Sequence, residues 1–162
     1  MPLALLAGCS FEGEERPQEV DIDVVAILGT VLGSMNAEGD SVRSLHGVFC
    51  STDRECEELK VSDPDVPPEL ESVATASGIP LVFGASAAGL PPCSWTDMGE
   101  GAGGFIVWFA EPEIVGDSAA VSVERFCAVS PSGSAYGQSD SYELLRAGSG
   151  WRVVVVHRIW ET

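Results

Sequence analysis

The chain has 162 residues, enough for one domain with a buried core, and its 25 Asp and Glu against eight Lys and Arg give a net charge of −17. That balance excludes nucleic acid as a partner, because phosphate binding needs clustered Lys and Arg. It also repels anionic head groups, so attachment to a membrane has to come from something other than charge. The charge is uneven: residues 1 to 117 hold 21 acids and four bases (Arg16, Arg43, Arg54 and Lys60), whereas the remainder holds four of each.

The first ten residues, Met-Pro-Leu-Ala-Leu-Leu-Ala-Gly-Cys-Ser, put the small residues Ala7 and Gly8 directly before a cysteine. Leu6-Ala7-Gly8-Cys9 resembles the lipobox of bacterial lipoproteins. The resemblance implies that residues 1 to 8 are the remnant of a cleaved signal peptide and that the Cys9 thiol is diacylated with palmitate-type chains. It also implies that the mature protein begins at Cys9, on a membrane of the bacterial cell envelope. Two such chains anchor far better than one, since each buried methylene contributes about 0.8 kcal/mol. Ser10 stands where the family's inner-membrane retention signal would usually be Asp, which favours the outer membrane in a Gram-negative cell. Unlike a complete secretory signal, Met1 to Gly8 carries no Lys or Arg, so either the start codon lies further upstream or the match to the lipobox is accidental.

Residues 9 to 18, the lipidated cysteine and a polar run, read as a tether, and residues 19 to 162 as a single globular domain. Pro17 is expected to open a helix, in which Val20, Val24, Ile27, Leu28, Val31, Leu32 and Met35 recur at spacings of three and four. Glu19, Asp21 and Asp23 suit its positive end, and Gly29 and Gly33 form a small-residue face that a sheet could approach. A strand is expected at Leu45 to Phe49, followed by an acidic loop. Prolines at its start and Gly78 with Pro80 at its end delimit a second helix, Pro68 to Ser77. Further strands are expected at Ile79 to Phe83, Phe105 to Ala110, Ala119 to Val129, Ser141 to Ala147 and Trp151 to Trp160. The last two form a hairpin through Ala147-Gly-Ser-Gly150. Within the final strand, Trp151, Val153, Val155, His157 and Ile159 share the face expected to meet the helices.

Helices first and hairpin-linked strands afterwards predict an α+β domain: an N-terminal helix and a short second helix packed on a curved antiparallel sheet of about five or six strands. The helix from Val20 to Met35 and the closing Leu-Leu-Arg-Ala-Gly-Ser-Gly-Trp-Arg-Val-Val-Val-Val weakly resemble the cone-shaped NTF2-like family. That resemblance covers about half the chain and implies a pocket for a small apolar molecule, with Trp108, Tyr142 or His157 beside it.

Besides Cys9 the chain has Cys50, Cys56, Cys93 and Cys127, an even remainder that could form two disulfides in an oxidising compartment. The local loop favours Cys50 with Cys56, which leaves Cys93 with Cys127; free buried thiols are the alternative. No cofactor or metal site is expected. Zinc spacings are absent, Asp63-Pro-Asp65 lacks the calcium-loop rhythm, and Gly99-Glu-Gly-Ala-Gly-Gly104 carries an acid that would repel phosphate. Glu111-Pro-Glu113 reads as a turn. His157 reads as a core histidine and His46 as a surface one. Gly84-Ala-Ser86-Ala-Ala88 nearly matches a nucleophile elbow, with acids and His157 downstream, but Ala87-Ala-Gly-Leu-Pro-Pro-Cys93 cannot supply the helix that an elbow needs. The expected function is therefore a lipid-anchored envelope protein, more a binding or interaction module than an enzyme, with its small-molecule or protein partner open. An NTF2-like pocket protein is the first alternative and a Ser86–His157 hydrolase the second.

Overall fold

The computed structural model describes residues 19–50, 65–83, 89–93, 103–129 and 135–161. Along them run α1 (Ile22–Ala37), β1 (Val42–His46), α2 (Pro68–Ser77), β2 (Leu81–Val82), β3 (Phe105–Phe109), β4 (Glu113–Val115), β5 (Ser118–Ala128), β6 (Ala135–Ala147) and β7 (Gly150–Glu161). The protein is an α+β domain.

Asp21 starts α1. Its carboxylate accepts from the Asp23 and Val24 amides at 2.9 and 3.3 Å, satisfying two N–H groups that a helix start leaves without partners. The helix therefore begins later than Pro17, which lies outside the described residues, and Val20 stays off it. Val24, Ile27, Leu28, Val31, Leu32 and Met35 form its buried face. Gly29 and Gly33 are exposed, with nothing within 4 Å of where a Cβ would stand, so the small-residue face looks to solvent and not to the sheet. The reason is that the six large apolar residues already occupy the side turned inward, and their burial at about 1.5–3 kcal/mol each sets the helix's rotation. α2 has the expected bounds, ending on Gly78 at φ 69°, a left-handed position that glycine takes without strain.

One open seven-stranded sheet runs β2-β1-β3-β5-β6-β7, with β4 paired to β5 off this path. It is mostly antiparallel, but β1 is parallel to both β2 and β3. α2 accounts for the first of these, because a helix between two strands returns the chain to the end from which the first strand began. β4 was not expected. Glu113 opens it instead of closing a turn, and Glu113 to Val115 pairs with Ser118 to Ala120 across Gly116 at φ 60°.

The helices cover one face of the sheet. There Leu45, Phe105, Val107 and Phe109 join alternate residues of β5 (Ala119, Val121, Val123, Cys127) and of β6 (Tyr142, Leu144) against α1 and α2. Cys127 bonds Cys93 in a disulfide, which ties the segment before β3 to the end of β5. Cys50 is also disulfide-bonded, and Cys56, the partner expected for it, lies outside the described residues.

The final hairpin turns at Gly148-Ser149, with Ala147 opposite Gly150. In β7 the expected alternation fails. Pairing slips at two places, so that Leu144 faces Val153 while Glu143 faces Val155, and Asp140 faces Arg158 while Ser139 faces Trp160. Each slip leaves one extra residue in β7, Val154 and Ile159, and a single extra residue reverses the sides for everything after it. Trp151 and Val153 face the helix side as expected. Beyond them Val156 and Arg158 take that side, and Val155 and His157 turn to the other.

Candidate functional site

Two constellations stand out, one on each face of the sheet. On the helix side, Arg125 of β5 and Asp140 of β6 are buried at 3 and 1 % exposure. Arg125 lies opposite Gln138 in the β5–β6 ladder, one pair along from Asp140 on the same face. Its guanidinium bonds both Asp140 and Asp40, the latter just beyond the end of α1, and lies 5.8 Å from the centre of the Phe105 ring. Asp140 also accepts from the Arg158 Nε at 2.7 Å and from the Gln138 amide at 2.5 Å. Tyr136 donates to the other end of that amide at 2.6 Å, and Arg158 continues to Glu161.

Burial alone would raise the pKa of Asp140. The bonds from Arg125, Arg158 and Gln138 outweigh it and hold the carboxyl below its ordinary value. A carboxylate receiving three donors, beside an arginine shared between two carboxylates, is poorly placed to take a proton or to bind an anion. Its chemistry is to join α1 to the last three strands. Tyr142 lies on the same face, fully buried, and burial pushes its hydroxyl up to about 12. That hydroxyl has no hydrogen-bond partner among the described residues.

On the other face a row of rings crosses the sheet. His46 meets Phe83 at 6.5 Å and Trp108 at 4.9 Å, Trp108 meets Phe126 at 5.0 Å, and Phe126 meets Trp160 at 5.9 Å. Gly137 of β6 lies between the last two. A Cβ there would stand 2.8 Å from Phe126 and 2.9 Å from Trp160, so the rings close over the glycine in place of a side chain. Ile106 and Cys50 complete this second cluster, with Val82 and Leu90 packed on it.

The histidines exchange the roles expected for them. His46 is 1 % exposed, because Ser44 and His46 lie on the ring face of β1 while Leu45 takes the helix face. Burial lowers its basicity, against a backbone bond with Val48 that raises it. His157 is exposed and pairs with Glu143 at 3.2 Å, because the slip at Val154 turns it away from the core. The three residues expected near a pocket are not brought together. Tyr142 belongs to the helix-side core, Trp108 to the ring cluster, and His157 to the surface of β7. Ser86 and Cys9 lie outside the described residues.

Among the described residues there is also a shallow, open cleft of about 360 Å³, bordered by Val115, Glu143, Leu145 and Val154 near the β4–β5 and β6–β7 turns. Among those residues no group of three or more His, Cys, Asp or Glu is placed to hold a metal ion. None of their helices is long and apolar enough to cross a membrane. Arg125 and Asp140 were missed in the sequence because charged residues in strands read as solvated. No family model, curated protein or solved structure matches the chain.

Proposed function

We propose that the protein is a bacterial cell-envelope lipoprotein, attached through lipid on Cys9, whose α+β domain acts by binding or interaction at the membrane surface and not by catalysis. The observation that carries the reading is the pairing of the opening Leu6-Ala7-Gly8-Cys9 with a disulfide buried in the core. Cys93 and Cys127 are 1 and 0 % exposed and bonded to each other, which is the chemistry of an oxidising compartment. The even cysteine remainder left by Cys9 supports the same reading. So does the saturated state of Arg125 and Asp140, which leaves that buried cluster as structure.

The test is expression of the full reading frame in a bacterium, followed by fractionation and intact-mass measurement. The expected species lacks residues 1 to 8, carries a diacylglycerol mass on Cys9 and sediments with membranes. An unmodified chain beginning at Met1 in the cytosol overturns the reading. A small-molecule pocket of the NTF2-like kind is a second reading, favoured by the Tyr142 hydroxyl, which has no hydrogen-bond partner among the described residues. It predicts a ligand that is retained by the native protein and lost in Tyr142→Phe.

A further inference from the structure

We infer that one tip of the domain, built around Arg146, rests on an uncharged, zwitterionic lipid surface, with Ile22 and Val115 as the apolar side chains that enter it. This rests on the lipid-anchor reading and adds the orientation of the domain to it. Among the described residues Ile22 and Val115 are the two most exposed large apolar side chains, at 81 and 78 %. They come from elements far apart in the chain, yet one guanidinium connects their neighbours. Arg146 bonds Asp23 at 3.1 and 2.8 Å and pairs with Asp117 at 3.5 Å, while its amide donates to the Asp117 carbonyl at 2.8 Å. Trp151 adds a bond from its indole to Asp23 at 3.3 Å. The start of α1, the β4–β5 turn and the β6–β7 turn thus form one end of the molecule. Leu145 and Val154, both exposed, border the cleft beside it.

The chain itself indicates what covers this end. α1 begins here, so the residues running back toward Cys9 depart from this tip and not from the opposite one, where Asp40 meets Arg125. At about 3.3–3.6 Å per residue, the stretch from Cys9 to Val20 reaches at most roughly 40 Å. A lipid on Cys9 therefore keeps Ile22 and Val115 within about a domain's width of the bilayer, at a local concentration that makes weak apolar insertion productive. Val20, 37 % exposed, stands on the same approach.

Charge selects the kind of surface. Acids crowd the tip, although Asp21 caps α1, Asp23 and Asp117 share Arg146, and Glu69 accepts from the Asp21 amide at 2.9 Å. Glu19, ahead of α1, and Glu113, the first residue of β4, are exposed. With a chain of net charge −17 behind them, a phosphatidylglycerol surface repels the tip, whereas phosphatidylcholine or phosphatidylethanolamine does not.

The test uses the full chain with Cys9→Ser and an N-terminal hexahistidine, held on phosphatidylcholine vesicles by a nickel-chelating lipid, so that anchoring does not depend on acylation in the cell. Hydrogen exchange is compared between vesicle-held and free protein. Amides of 22–25 and 113–118 are expected to exchange at least threefold more slowly on the vesicle. Ile22→Asp with Val115→Asp is expected to abolish that difference without changing the melting temperature by more than a few degrees, since both positions are exposed. Equal exchange on and off the vesicle overturns the inference, as does protection that survives the double variant. Protection that grows when phosphatidylglycerol is added overturns the choice of a neutral surface. Failure of the anchor itself shows separately, as an unlipidated Cys9 in the mass measurement on the native reading frame.

Discussion

β5 and β7 belong to the same sheet and are 11 and 12 residues long, yet they are buried in different ways. β5 alternates between buried and half-buried along its whole length after Ser118. β7 is buried only at Trp151, and Val154, Val155, Val156 and Ile159 are between 37 and 54 % exposed. The residues do not account for this; their neighbours do. β5 has β3 and β4 on one side and β6 on the other, with helices on its Val121 and Val123 face. β7 is an edge with one neighbour, and two bulges break its register. Those bulges, together with Arg152 and Arg158, are the devices by which an exposed edge avoids recruiting other strands.

Asp140 gives the largest expected effect, because it connects the two strands through Arg125 and Arg158. Asp140→Ala leaves Arg125 buried with one of its carboxylates gone and is expected to cost about 3–5 kcal/mol in urea denaturation. The native carboxyl is held below its ordinary value of 3.8. Its contribution is therefore present above about pH 4 and lost as pH falls through the folded value. A stability profile that stays flat as pH falls through this range would refute the assignment.

The disulfide anchors β5 at its far end. Cys93→Ala with Cys127→Ala opens a loop of sequence separation 34 and is expected to remove about 3–4 kcal/mol. A loss below about 1 kcal/mol would mean that packing around Pro91 and Ala128 holds this junction without the bond.

The direct contrast is smaller. Val123→Ala, at 1 % exposure, is expected to cost about 2 kcal/mol through lost transfer energy and a residual cavity. Val155→Ala is expected to fall within about 0.5 kcal/mol. Equal losses at the two positions would show that something covers β7.

The histidines extend the contrast to pH. Burial depresses the basicity of His46, whose ordinary value is 6.5. Stability is complete above that value and declines as pH falls below it, because the unfolded chain binds the proton first. His46→Phe is expected to flatten this part of the melting-temperature profile. A profile that the substitution leaves unchanged would refute the burial of His46.

Much of the architecture was legible where local chemistry decides it. Pro68, Gly78 and Pro80 bounded α2, Gly148 and Gly150 marked the hairpin, and a spacing of three and four identified the buried face of α1. The parallel partners of β1 were not legible, because no local pattern records which strand lies beside another. Nor were the bulges at Val154 and Ile159, since a slip belongs to a pair of strands and not to one. The error over His157 follows from the first slip. His46 was misread because its short strand has a second face covered by rings from Phe83 and Trp108. The Arg125–Asp140 cluster did leave a readable sign. Arg125 shares parity with Val121, Val123 and Cys127, and Asp140 with Tyr142 and Leu144, so alternation carries both charges inward with the core residues around them.

The bond between Asp23 and Arg146 spans a sequence separation of 123, and that distance constrains the order of folding. α1 is the first described helix to be synthesised, but the strands whose side chains complete its apolar seat, β5, β6 and β7, come last. Until Trp151 exists, α1 has no full surface to settle on, and the entropy of closing so long a loop opposes early docking. By this argument α1 docks late, once the C-terminal hairpin is made, and the Asp23–Arg146 bond then ties the first described helix to the last two strands.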